Sequence, residues 1–248
     1  MSSVLLQIFG LSAILFCYSC QDTQPRQETK TKKSETKLTS DTITVADTIP
    51  DGGGKDEFSS STENEYPLLD DKNVREFLLK YGKEHPETRV QITIPQGEIL
   101  IELDKRTPIH RASFLYLANR GFFDETFFYR VAEGFVIQGG NSDRPQMSKK
   151  KAHIGVYTLP QEQVRGLSHR RGALALSKQW VDNPSNRSTP FDFFIVVNTK
   201  RAQHLDGEHT IFGKVIKGMN VVDEISKVAV DQSEWPLVNI PMKVKVLP

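Results

Sequence analysis

From Val90 onward the apolar residues come in short bursts that alternate with polar ones or close on glycine, and this spacing constrains the fold more than any other feature. Val90, Ile92 and Ile94 alternate, Pro95-Gln96-Gly97 supplies a turn, and Ile99, Ile101 and Leu103 alternate again. A period of two puts these side chains on one face of a strand, so the segment reads as a β-hairpin with one buried side. Further short apolar runs lie at Phe127 to Val131, Phe135 to Gln138, Ala173 to Ser177, Phe193 to Val197, Ile211 to Ile216 and Val244 to Leu247, between turns rich in Gly, Pro, Asn and Asp. Helical spacing is confined to three places. Asp70 or Asp71 can cap a helix whose Val74, Phe77, Leu78 and Tyr81 fall at i, i+3, i+4 and i+7, with Gly82 as its stop. Pro108 to Gly121 reads as a second helix, with Ala112, Leu115 and Leu117 among its apolar residues, and Val221 to Ile225 as a third. Many short strands with few helices predict a mainly β, antiparallel architecture closed into a barrel. No internal repeat is visible.

The 248 residues, 38% hydrophobic and 25% charged, suffice for one sizeable domain with appendages. A net charge of +1 supplies no overall field to attract nucleic acid or an anionic surface, so any specificity is local. Cys17 and Cys20 are the only cysteines, and both lie in the N-terminal apolar segment, which leaves the rest of the chain no disulfide and no thiolate for catalysis or zinc. Their Cys-x-x-Cys spacing also occurs in redox motifs, but here it closes a hydrophobic run and precedes a polar tail.

Val4 to Tyr18 is apolar, short for a bilayer span, and placed where an export signal would be, although no Lys or Arg precedes it. Its end, Cys17-Tyr18-Ser19-Cys20, resembles a bacterial lipoprotein cleavage site with Cys20 as the lipidated residue. Residues 1–20 therefore read as a signal peptide, and the protein is expected in a bacterial cell envelope, lipid-anchored and facing the periplasm or exterior. Residues 21–66 are rich in Thr, Ser, Lys, Asp and Glu and too poor in apolar side chains to offset the entropy of ordering. They are expected to form a disordered tether with a reach of roughly 35 to 40 Å. The helix at residues 67–87 leads into a domain at 88–248.

One residue does not suit a simple barrel strand. In Phe127 to Gly140, FFYRVAEGFVIQGG, a lone arginine interrupts an apolar run that closes on a glutamine and two glycines. The wider blocks GFFDETFFYRVAEGFVIQGG, RGALALS, DFFIVV and LDGEHTIFGKVIKGMNVVDEI follow one another in an order and spacing that resembles the cyclophilin family of peptidyl-prolyl isomerases, over about Val90 to Pro248. The resemblance implies an eight-stranded antiparallel barrel capped by two helices, with the active site on its outer face. It implies a catalytic role for Arg130 and a structural and substrate-contacting one for Gln138. It also implies a proline pocket at Phe135, Val136, Phe194, Leu205 and His209. Four positions depart from the family pattern. Ser177-Lys178 stands where an Ala-Asn pair binds substrate, Asp192 replaces a glutamine, and His204 replaces the tryptophan of many eukaryotic members. Extended substrate contacts should differ accordingly, and binding of the cyclosporin kind should be weak. The basic stretch around Lys149, Lys150 and Lys151 has no counterpart in the pattern.

The chemistry implied is rotation about an X-Pro amide, with neither cofactor nor metal. Arginine suits it, being always charged and carrying a rigid fork of donors. If Asp192 lies near Arg130, an ion pair could orient the guanidinium or divert it from substrate. His204-Leu205-Asp206-Gly207-Glu208-His209 has the composition of a metal cluster, but Asp-Gly signals a turn, and ligands so crowded rarely converge on one ion. A hydrolase using His209 lacks its Gly-x-Ser-x-Gly elbow. The expected partners are proline-containing polypeptides and, through Cys20, a membrane; nucleic acid is not among them, and a monomer is expected. The competing reading is a proline-peptide-binding chaperone or scaffold on the same fold, weak in catalysis.

Overall fold

A computed structural model describes residues 66–179 and 182–248. The expected signal peptide with Cys17 and Cys20, and the expected tether 21–66 apart from Tyr66, lie outside the described residues. Along the chain come β1 (Leu69–Asp70), α1 (Val74–Glu84), β2 (Arg89–Ile94), β3 (Gly97–Leu103), α2 (Pro108–Asn119), β4 (Phe127–Ala132), β5 (Val136–Asn141), α3 (Gln146–Ile154) and β6 (Gly155–Val156). Then follow β7 (Ala173–Lys178), β8 (Ser188–Val196), α4 (Thr199–Ala202), β9 (Ile211–Lys217), α5 (Met219–Ile225), β10 (Ile240–Pro241) and β11 (Lys243–Leu247).

Nine strands form one sheet in the order β10-β4-β5-β8-β7-β9-β3-β2-β11, and every pairing is antiparallel. Only Met242 separates β10 from β11, yet the two pair with opposite ends of the order, β10 with β4 and β11 with β2. One stretch of chain thus bridges both edges and nearly closes the barrel, which removes unpaired edges that would otherwise invite aggregation. The eight strands expected become nine because this last strand breaks in two. The predicted hairpin is present as β2 and β3, with Ile94 paired to Gly97 across the turn. Its alternating residues Val90, Ile92, Ile99 and Ile101 lie in the barrel core with Phe128, Ile137, Leu174, Phe193 and Phe212.

Helices α1, α2 and α5 add Leu78, Phe114, Leu115, Val222 and Ile225 to the same core, and α2 lies against β8, β9 and β11. Helix α1 begins after Asn73 and runs through Gly82 to Glu84. The glycine is no stop: a β-carbon there would sit 3.0 Å from the Ala112 β-carbon, so Gly82 instead lets α1 approach α2 closely. Arg111 from α2 then donates to the carbonyl of Gly82, one of the groups the helix end leaves open, and to those of His85 and Glu87 in the chain that follows. Tyr66 joins the same interface, edge-on to Phe77 at 5.9 Å and to Tyr116 at 5.4 Å. Asp70 accepts from the amides of Lys72 and Asn73 in the turn before the helix.

The basic stretch near Lys149 is a helix, α3, stitched to the barrel by Lys150 to Glu125 at 2.9 Å and Lys151 to Asn141 at 3.1 Å. Fully buried His110 joins α2 to β8: one ring nitrogen meets Glu162 Oε2 at 2.7 Å and the other meets Ser188 Oγ at 3.0 Å. Burial pushes this imidazole below its usual pKa, and the group's depth makes it structural.

Candidate active site

Strand β8 is buried on both faces, and this sets up the site. Phe193 and Ile195 point into the barrel core, while Phe194 and Val196 belong to a second apolar cluster with Ala132, Val136, Ala173, Ala175, Leu205 and Ile211. Directly paired residues share a face of an antiparallel sheet. The register Arg130↔Gln138, Gln138↔Phe194 and Phe194↔Ala175 therefore lays these four across the outer face in one row. The arginine interrupts the apolar run because its side of the strand faces outward.

Between Phe128 and Arg130 the register shifts, leaving Tyr129 without a partner in the ladder. Such a bulge bends the strand and re-aims side chains, and here it brings both Tyr129 and Arg130 to the same cavity. The glycines that close the motif are required by packing. A β-carbon on Gly139 would come within 2.7 Å of Met242, and Gly140, at φ +97°, would drive one to 2.1 Å from the Phe191 carbonyl oxygen.

The cavity encloses ≈ 570 Å³, and all eleven residues marked from the sequence, Arg130, Phe135, Val136, Gln138, Ser177, Lys178, Asp192, Phe194, His204, Leu205 and His209, line it. Tyr129, Gln179 and Thr189 line it as well. Strict alternation would put Tyr129 on the face opposite Arg130, so only the bulge reveals it. Phe194 forms an apolar floor, with the His209 ring edge-on at 5.2 Å and the His169 ring nearly parallel at 5.9 Å. Phe135 stacks on His204 at 5.5 Å. His209 Nδ1 lies 3.0 Å from the Leu176 carbonyl, and burial pulls its pKa down to about 4, so the ring is neutral at physiological pH and Nδ1 donates.

The opposite wall is polar. Gln138 Nε2 donates to Tyr129 Oη at 2.5 Å and to Ser177 Oγ at 3.0 Å, and the Tyr129 hydroxyl donates to Asp192 Oδ1 at 2.9 Å. Burial raises the Tyr129 pKa, helped by the Asp192 charge, and burial likewise raises that of Asp192. Arg130 Nη1 reaches Gln138 Oε1 at 3.4 Å. The acid that meets Arg130 is Glu234, with Oε2 at 2.7 Å from Nη2; Asp192 is engaged by Tyr129 instead. Glu234 comes from the loop before β10, and no local pattern announces it. Lys178, 8% exposed, pairs with Glu208 and donates to Asn186 Oδ1 at 2.5 Å.

The profile of cyclophilin-type peptidyl-prolyl cis-trans isomerases matches residues 89–246. A peptidyl-prolyl cis-trans isomerase of Acinetobacter baylyi is 35% identical over 145 residues, covering 57% of this chain and 73% of its own. Peptidyl-prolyl cis-trans isomerase B of Escherichia coli is 33% identical over 144 residues, covering 55% and 83%. The isomerase-like 2 protein of Rhizopus delemar is 30% identical over 195 residues, 77% of this chain, but the chain spans only 35% of that longer relative. Among solved structures, a Cryptosporidium parvum cyclophilin-type isomerase crystallised in the presence of the dipeptide Ala-Pro is 27% identical with a TM-score of 0.54, over 64% of this chain and 99% of its own. The barrel and these matches define a prolyl isomerase fold. The chain belongs to the cyclophilin-type peptidyl-prolyl cis-trans isomerase family, and hence to that class of enzyme.

Proposed function

We propose that this protein accelerates X-Pro rotation in exported or cell-envelope polypeptides, with Arg130 stabilising the twisted amide above the Phe194 floor. The uncatalysed rotation crosses about 18 to 20 kcal/mol because resonance keeps the amide planar, and it takes tens to hundreds of seconds. Half-way round, conjugation is lost and the proline nitrogen becomes pyramidal, so its lone pair can accept a hydrogen bond that neither planar isomer can. A fixed cationic donor therefore favours the transition state over both ground states. In this reading Phe135, Val136, Phe194, Leu205 and His209 hold the proline ring, and Gln138 steadies the guanidinium. Ser177, Lys178, Asp192 and His204 contact residues beyond the proline.

The observation that carries the proposal is the row Arg130, Gln138, Phe194: a guanidinium with its side chain 36% exposed, beside an apolar floor across two strand pairings. A two-dimensional exchange measurement on an Ala-Pro-Phe peptide tests it. Purified protein should speed cis/trans exchange, and Arg130→Ala should lower the rate about 100-fold, the usual loss for one transition-state donor. Binding without acceleration would instead support a proline-peptide chaperone. We also propose a lipid anchor at Cys20, based on its sequence context. Labelled fatty acid should enter the wild-type protein in bacteria and not Cys20→Ala, and an unlabelled wild type would remove the anchor.

A further inference from the structure

The guanidinium of Arg130 has two partners of unequal strength. Glu234 Oε2 is 2.7 Å from Nη2, against 3.4 Å from Nη1 to Gln138 Oε1, and the closer contact is also the charged one. The loop that delivers Glu234 is firmly built. Asp231 Oδ1 accepts from the amides of Ser233 and Trp235 and from the Ser233 hydroxyl, and the Glu234 amide donates to the Asp231 carbonyl. The Glu234 carbonyl in turn accepts from the Val131 amide at 2.8 Å, which docks the loop beside Arg130 itself. The Trp235 ring lies 5.7 Å from that of Tyr129, on the other residue of the bulge.

Glu234 adopts φ +65°, a left-handed conformation that strains any residue with a β-carbon and that glycine occupies freely. Every backbone hydrogen bond that docks this loop would survive with glycine there. A glutamate keeps the strain and adds one thing, a carboxylate on Nη2. Strain held where a side chain meets a candidate active site points to a role for that side chain.

We infer that Glu234 is a positioning residue for prolyl isomerisation: it holds the Nη2 edge of Arg130 so that the Nη1 edge stays turned toward Gln138 and the cavity. This rests on the role proposed for Arg130 above. Misplacing a catalytic group slows turnover more than it weakens substrate binding, so the signature is a fall in kcat at nearly constant peptide affinity.

The test compares purified full-length wild type, Glu234→Gln, Glu234→Gly and Arg130→Ala by peptide exchange, peptide titration, thermal melting and the nitrogen-15 signals of the Arg130 guanidinium. Glu234→Gly should lower kcat about five- to tenfold and Glu234→Gln somewhat less, with peptide Kd within about twofold of wild type. Guanidinium rotation in Arg130 should quicken in both. Glu234→Gly should melt at or above the wild-type temperature, because φ +65° no longer carries a β-carbon, so activity and stability move in opposite directions. Wild-type kcat with unchanged Arg130 signals in both Glu234 variants, while Arg130→Ala remains about 100-fold slow, overturns the positioning role alone. A Glu234→Gly variant whose kcat and melting temperature fall together overturns it too, by assigning the effect to folding. An Arg130→Ala variant with full activity overturns the reading on which both depend.

Discussion

Phe193 and Phe194 are neighbours on one strand, and the outward-facing site predicts that truncating them has opposite consequences. Phe193 is fully buried in the barrel, edge-on to Phe114, Phe123 and Phe128 at 5.5, 5.8 and 5.9 Å. Phe193→Ala loses the transfer energy of the ring, opens a closed cavity and removes those aromatic pairs, so it should cost about 4 to 5 kcal/mol, the upper part of the range for such truncations. Phe194 is 5% exposed, and its outer face lines the ≈ 570 Å³ cavity. Water can fill the space that Phe194→Ala leaves, so the cost falls toward the transfer term alone, about 1.5 to 3 kcal/mol. Function should rank the other way. In the proposed reading, losing the floor removes apolar contact with a proline ring, and a loss of about 1.4 kcal/mol or more lowers kcat/KM at least tenfold. Phe193→Ala, corrected for the folded fraction, should stay within about threefold of wild type. Urea titration gives the stabilities and peptide exchange the rates. Equal effects of the two substitutions on rate per folded molecule would refute the proposed division of β8 into a core face and a catalytic face.

Other outcomes follow from the polar wall and the buried imidazole. Asp192→Gln should leave kcat/KM within about tenfold, since Asp192 reaches Arg130 only through Tyr129 and Gln138. Burial raises the Asp192 pKa in the fold, so its carboxyl favours folding at acid pH and this contribution is lost as pH rises through the folded value. Asp192→Asn keeps an acceptor for Tyr129 and should raise the melting temperature at pH 7, with the gain shrinking toward pH 4; calorimetry across that range checks it. His209 shifts the opposite way, from 6.5 to about 4 by burial, so its contribution is present above pH 6.5 and lost as pH falls toward 4. His209→Asn should flatten that part of the stability profile, whose full size is on the order of 3 kcal/mol.

The sequence alone determined what depends on short-range pattern. Period-two alternation placed the β2–β3 hairpin and helical spacing placed α1 and α2, while the family resemblance of the ordered blocks around Arg130 implied eleven residues that line a single cavity. Tertiary structure decided what depends on register and closure. A one-residue bulge turned Tyr129 to the same side as Arg130, and two glycines were needed where Met242 and the Phe191 backbone crowd β5. A basic stretch became α3 with Met147 and Ile154, two turns apart, buried in the core and its lysines bonded to Glu125 and Asn141. Glu234 met Arg130 although far from it in the chain, because β10 pairs with β4 and carries the preceding loop to the bulge. Local preferences act between residues a few positions apart, whereas these contacts exist only once distant strands have paired in one register, and nothing in the intervening sequence records that choice.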